Sequence, residues 1–182
     1  VWQMFIGEKT KDRAKRVRKL FLRKNCKKII AWTEKQAKTN ILGEFPEVKE
    51  RMEIVYPAVP LPKIKKKKHN GINLLFVARY FYPKGGLHAL EIIDKLTRKY
   101  ENVNGIFVSE VPKEILEKYS GNKKIKFYCL LPQKELFDEI FPISDIFVYP
   151  GYSDSFGFAM LEAMSFGLPV VTVDNHTRKE II

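Results

Sequence analysis

Cysteine is scarce in this chain. Two of its 182 residues, Cys26 and Cys129, lie far apart in no metal-binding or redox spacing, which excludes a disulfide scaffold and a zinc ribbon. Long apolar runs are missing too, and nothing approaches the roughly 18 consecutive residues a membrane-spanning helix needs. There is no G-x-G-x-x-G, no lysine-bearing P-loop and no Asp-x-Asp pair. A dinucleotide enzyme and a P-loop ATPase therefore lose their usual signatures. No secretory pattern is seen, which leaves a reduced, cytoplasmic chain as the expectation. The sequence starts at Val1 and stops at Ile182, within what reads as a fresh helix; a piece of a longer protein is expected.

Acid is in the minority. Against 33 Lys and Arg stand 21 Asp and Glu, for a formal net charge of +12. Between Lys9 and Lys28 there are 11 basic residues and one acid, Asp12, and Lys63–Lys68 holds five lysines in six positions. Such clustering points to anionic partners: phosphates, acidic lipid or nucleic acid. Apolar types make up 45% of the chain, enough for a packed core.

The first third reads as a basic helix over 8–24 with an Ala14–Val17–Phe21 stripe, a buried strand over 29–32, a helix over 34–42 and a short strand over 53–56. Pro57, Pro60, Pro62 and the lysine run predict an exposed linker ending at Asn70-Gly71. Beyond it, apolar strands at 73–78, 105–108, 125–130, 145–149 and 169–173 alternate with helical stretches at 86–100, 113–119, 133–141 and 156–166. That alternation predicts an α/β, doubly wound parallel sheet of Rossmann-like type.

Open parallel sheets bind ligands at the carboxyl ends of their strands. The first of these strands delivers Arg79 and Lys84-Gly85-Gly86 to that rim. The fourth delivers Pro150 to Gly157, and the fifth Asp174 to Thr177. Two cations, a glycine pair, a small polar loop and two helix starts suit a phosphate-bearing ligand. Taken singly, Arg79 and Lys84 read as ordinary surface charges; together on one rim they favour a site.

Glu162 stands out. Seven of the nine residues in Phe158–Phe166 are apolar, so the helix is expected to be buried nearly all round, and a lone carboxylate there needs a partner. A structural cation would serve, as would a solvent-facing edge or the vicinal hydroxyls of a ribose. All three stand open on the residues alone.

The run Asp154-Ser-Phe-Gly-Phe-Ala-Met-Leu-Glu162, continued by Ala163-Met-Ser-Phe-Gly-Leu-Pro-Val-Val171, resembles the E-x7-E signature of the retaining glycosyltransferases of family four. Leu75-Phe-Val-Ala-Arg79 followed by Lys84-Gly85-Gly86 resembles their GR…KG strand-turn-helix. The likeness is close over 71–182 and looser over 29–59. It implies a GT-B enzyme of two facing Rossmann domains, of which residues 1–60 would be the end of the acceptor domain, 61–70 a linker and 71–182 the donor domain. By position, Arg79 and Lys84 would hold the donor diphosphate and Glu162 the ribose. Asp154, where the family usually has Glu, would touch the donor sugar with Ser155 beside it. Backbone N–H groups of Phe156 and Gly157 would face sugar and phosphate, and Leu131 would lie against the base. No metal or other cofactor is implied; the nucleotide-sugar, such as a UDP- or GDP-sugar, is the donor substrate. A glycan or lipid-linked acceptor and a role in glycan, glycolipid or surface-polysaccharide synthesis follow from the same resemblance. Two departures accompany it: Ala78 replaces the usual Gly before Arg79, and Asp174–Lys179 lacks the glycine pair usual before the glutamate that Glu180 matches.

Two other classes compete. A basic nucleic-acid-binding module would use Lys9–Lys28 and the lysine run, although no RNA or DNA motif is present. A nucleotide-sugar-binding protein without catalysis would keep the rim and lose the transfer. The basic helix is also a candidate for docking on anionic lipid, against the plainer expectation that it packs on its own apolar stripe.

Overall fold

Residues 9–63, 65–152, 156–174 and 178–182 are described by the computed structural model, and the chain divides into two units, Val1–Pro57 and Ala58–Ile182. In the first unit, helix α1 (Lys9–Phe21) turns Ala14, Val17 and Phe21 onto a small core of Ile29, Phe45 and Val48. The plainer expectation is therefore met: the stripe is spent on packing and Arg18 reaches back to Glu47 at 2.7 Å, while Arg13, Lys15, Arg16 and Lys19 remain exposed. At the end of α1 the Arg51 guanidinium donates to the carbonyls of Phe21 at 2.7 Å, Arg23 at 3.1 Å and Cys26 at 3.1 Å. Of these, the Phe21 carbonyl is at the helix end, where a cation is favourable.

Strand β1 (Ile29–Ala31) pairs in parallel with β2 (Met52–Ile54). The buried strand expected over 29–32 is corrected in part, because Ile30 is 57% exposed and Trp32 is exposed as well. The two-stranded sheet has its core on one face only, and period-two alternation sends Ile30 to the other. The helix expected over 34–42 is largely a π-helical turn, Gln36–Ile41.

The second unit begins with an extended segment that is less detached than the linker expected from sequence. Lys66 Nζ lies 2.7 Å from Asp145 Oδ1, Lys67 Nζ lies 2.7 Å from Glu139 Oε2, and the Lys67 amide donates to the Pro142 carbonyl at 2.9 Å. Two lysines of the run are thus matched to carboxylates of the same unit.

Five strands follow: β3 (Ile72–Tyr80), β4 (Val103–Glu110), β5 (Ile125–Tyr128), β6 (Ile146–Tyr149) and β7 (Val170–Thr172). All pair in parallel, in the order β5-β4-β3-β6-β7. The first strand of this unit is the central one, with neighbours added to both sides, which is the doubly wound pattern expected. Continuous apolar runs form its strands because both faces are covered; Leu75, Phe76, Phe107 and Phe147 are fully buried. Between the strands come α2 (Gly86–Lys99), α3 (Lys113–Tyr119), α4 (Gln133–Glu135, continued by a π-helical turn, Leu136–Ile140) and α5 (Phe158–Ser165). Helix α2 buries Ala89, Leu90, Ile93 and Thr97, the three-to-four spacing of one helical face.

The amino-terminal edge of this sheet carries a closed polar network. Buried Asn73 donates its side-chain amide to the Ile143 carbonyl at 2.6 Å, accepts from Asn104 at 3.1 Å, and donates its backbone N–H to Asp145 Oδ2 at 2.8 Å. His69 Nε2 lies 3.4 Å from the same carboxylate oxygen. Burial alone would push the Asp145 carboxyl up, but the Asn73 amide, Lys66 and His69 together hold it below the usual carboxylate range.

Helix α5 departs from expectation. Only Met160 and Ala163 are buried; Phe158 is 40% and Met164 39% exposed. The helix is apolar nearly all round but is covered on one side only.

Candidate functional site

Because every strand runs the same way, β3, β5, β6 and β7 present their carboxyl ends on one edge. Arg79, next to last in β3, is exposed, and its guanidinium carbon sits 5.6 Å from the centre of the Tyr80 ring. After β3 the chain turns tightly: the Gly85 N–H donates to the Tyr82 carbonyl at 3.0 Å and the Gly86 N–H to the Phe81 carbonyl at 2.8 Å. Gly85 sits at φ 73° immediately before α2. A β-carbon at Gly85 would lie 2.3 Å from the Pro150 carbonyl oxygen, and one at Gly151 would lie 3.1 Å from the Lys84 carbonyl oxygen. The Lys84-Gly85 turn and the loop leaving β6 are therefore in backbone contact, which no side chain at 85 would permit. The Tyr152 amide donates to the Pro83 carbonyl at 3.2 Å and extends the seam.

A third loop joins them. Arg178, beyond β7, is 2% exposed and donates to the Gly151 carbonyl at 2.7 Å, with its guanidinium carbon 5.4 Å from the Tyr149 ring centre. The glycine-poor stretch Asp174–Lys179 thus supplies a buried cation beneath the rim. Sequence reasoning passed over Arg178; its one signal is an arginine just past the last strand end.

The loop after β6 leads into α5. Asp154 and Ser155 lie outside the described residues, as do Asn175, His176 and Thr177. Phe156 is buried, its ring 5.3 Å from that of Phe158, and Gly157 holds φ 102° at the start of α5. One turn into the helix, Glu162 Oε1 accepts a hydrogen bond from Gln133 Nε2 at 2.8 Å. No cation lies within ion-pair distance of Glu162 among the described residues, so the structural salt bridge left open by the sequence is absent there. Burial pushes the Glu162 carboxyl above the usual range, and the Gln133 amide pulls it partly back. Leu131, just before Pro132 and Gln133, packs against the main core. Gln133 was not singled out in the sequence, and its 29-residue separation from Glu162 gave no signal.

The structure thus joins Lys84, Gly85, Gly151 and Arg178 in one backbone seam, and Gln133 with Glu162 in a second cluster on the same edge. It does not bring Arg79 or Lys84 into an ion pair with Glu162. Cations and two glycine-led helix starts on one rim can hold an anion, and a half-buried carboxylate can accept from hydroxyls.

Comparison with known proteins adds the family. Residues 60–182 match the family described as Glycosyl transferases group 1. One human relative, a component of phosphatidylinositol N-acetylglucosaminyltransferase, is 30% identical over 111 residues, 58% of this chain and 23% of that protein. Among solved structures, WaaG, a glycosyltransferase involved in lipopolysaccharide biosynthesis, aligns at TM-score 0.64 and 22% identity over 85% of this chain and 46% of its own. The pneumococcal O-GlcNAc transferase GtfA, solved with UDP and GlcNAc, aligns at TM-score 0.66 and 14% identity over 86% of this chain and 32% of its own. This chain spans less than half the length of each. The fold is the parallel α/β fold of GT-B glycosyltransferases, and the chain belongs to the glycosyl transferases group 1 family.

Proposed function

We propose that the second unit is the nucleotide-sugar-binding part of a retaining hexosyltransferase of family four, with the first unit as the end of its acceptor domain and 61–70 as the linker. The observation that carries this reading is the pairing, on one strand-end rim, of the Lys84–Gly151 backbone seam with a carboxylate, Glu162, whose described partner is a neutral amide. Arg79 and Lys84 hold the donor diphosphate, Glu162 accepts from the ribose hydroxyls, and Leu131 lies against the base. The N–H groups of Phe156 and Gly157 face phosphate and sugar; Asp154 and Ser155 take the sugar.

Transfer breaks the bond between the sugar's anomeric carbon and the diphosphate oxygen, leaving positive charge on the ring and negative charge on the departing phosphate. Arg79, Lys84 and the α2 and α5 starts are fixed where that negative charge grows, and stabilise it without a metal. The acceptor hydroxyl attacks on the face the phosphate leaves and gives its proton to the departing phosphate oxygen, so configuration is retained. A glycan or lipid-linked acceptor, and work in glycan, glycolipid or surface-polysaccharide synthesis, belong to this reading. The exposed basic residues of α1, with Leu20 50% exposed among them and Leu22 46% exposed just past its end, support docking on anionic lipid beside such an acceptor. No described helix is long and apolar enough to cross a membrane.

The test is a calorimetric screen of UDP-, GDP- and ADP-sugars on the parent and on Glu162→Gln. The parent binds one class, and the variant binds it weaker by roughly one to two powers of ten. Tight binding of oligonucleotides with no binding of any nucleotide-sugar would sink the reading.

A further inference from the structure

We infer that Gln133 is a positioning residue for Glu162: its side-chain amide fixes one carboxylate oxygen so that the other is presented to the donor's paired hydroxyls. The inference rests on the reading of Glu162 as the ribose-binding group. At neutral pH a carboxylate only accepts, so the amide nitrogen must face it, as the 2.8 Å contact from Nε2 to Oε1 requires. That bond is the one described hydrogen bond of the Glu162 carboxylate, which leaves Oε2 for a ligand.

A neutral partner suits this task better than a cation. An arginine or lysine at the same place would form a charge-assisted pair, roughly twice as strong, and would compete with the ligand for both oxygens. An amide orients the group and leaves its negative charge available. Gln133 is well anchored for this. It opens α4 directly after Pro132, whose φ is −56°, and the turns that continue α4 run into buried Ile140 and Phe141. The side chain itself is exposed, within reach of an incoming ligand.

Few other charges interfere. Helix α5 carries no second ionisable group; of the strands packed against it, β6 offers the Tyr149 phenol and β7 none. On α4, Lys134 is held by Asp138 and Glu135 is exposed; Lys63, which lines the same cavity as Gln133, is the nearby cation. The protonation of Glu162 is therefore governed by its burial and by Gln133, and removing the amide lets the carboxyl take up its proton at a higher pH.

The experiment titrates UDP and GDP, and their 2′,3′-dideoxy forms, into the parent, Gln133→Leu, Gln133→Glu and Glu162→Gln between about pH 5 and pH 8. For Gln133→Leu, affinity for the better ribonucleotide falls roughly tenfold, affinity for its dideoxy form stays at the parent's value, and the acid limb of the binding profile moves to higher pH. Gln133→Glu places a second carboxylate against the first and moves that limb further. Equal losses for the ribo and dideoxy nucleotides, or an unmoved acid limb, overturn the role of Gln133 alone. Parent-like ribonucleotide affinity in Glu162→Gln overturns the ribose reading itself.

Discussion

The two edges of the five-stranded sheet use polar side chains in opposite ways. At the amino-terminal edge, Asn73, Asn104, Asp145, Lys66 and His69 satisfy one another. At the carboxyl edge, the described contact of Arg79 is the face of Tyr80, and that of the Glu162 carboxylate is a neutral amide. The first edge pairs its carboxylate with cations; at the second, where Lys179 is paired with Asp174 at 3.0 Å, the Glu162 carboxylate has an amide and no described cation. A closed network contributes stability, whereas a half-buried carboxylate held by an amide alone costs some stability.

The comparison breaks most visibly if the carboxyl-edge cations are structural. Arg79→Ala and Lys84→Ala should each weaken nucleotide-sugar binding by about 1.5–3 kcal/mol, with the ligand-free melting temperature of Arg79→Ala overlaying the parent's. A large fall in melting temperature would make Arg79 a fold residue. At the other edge, Asp145→Ala removes the acceptor of the Asn73 amide and the partner of Lys66. It should lower unfolding free energy by about 1–3 kcal/mol in denaturant titrations, while the folded fraction binds nucleotide-sugar as the parent does.

Gly85→Ala tests the seam that joins two rim loops. The left-handed backbone costs a side chain about 1–2 kcal/mol, and the new carbon also meets the Pro150 carbonyl. Stability and nucleotide affinity should fall together, the one variant here that moves both.

The smallest effect lies in the pH dependence and has opposite signs at the two edges. Asp145 is held below its unfolded value, so its stabilisation is present above about pH 4 and is lost as pH falls through its lowered pKa. Glu162 is raised, so the folded ligand-free chain binds that proton more tightly than the unfolded chain. Its contribution is greatest in acid and declines as pH rises through the ordinary carboxylate range to the raised value. Glu162→Gln should accordingly leave neutral-pH stability within about 0.5 kcal/mol of the parent's, or slightly above it. Melting curves of Asp145→Asn and Glu162→Gln across the acid range test the sign; parallel slopes would contradict it.

The sheet was legible because its strands are continuous apolar runs separated by helical spacing, and β3 through β7 fall where that pattern put them. The rim followed from strand ends alone. Partnerships across the fold were not legible. An apolar helix predicts burial all round, yet Phe158 and Met164 of α5 face outward, because sequence shows which residues are apolar but not what covers them. The lone Glu162 left a cation, a solvent-facing edge or a ligand open; the amide that holds it comes from another helix. The lysine run read as an exposed linker because its carboxylate partners, Asp145 and Glu139, lie more than seventy residues on.

The order of the strands has a consequence for how the chain is made. Strand β3 pairs along most of its length with β4, from Ile72–Val103 to Tyr80–Glu110, but with β6 only at Leu74–Ile146 and Leu75–Phe147. During synthesis β3, β4 and β5 emerge together and can zip locally, while the other flank of β3 waits for residues beyond 145. Contacts this distant close late, and an apolar central strand with one bare flank is the species that chaperones must shield. The short β3–β6 seam is also the switch point beneath the rim. Amide exchange should open it before the β3–β4 ladder, splitting the carboxyl edge in two while most of the sheet stays intact.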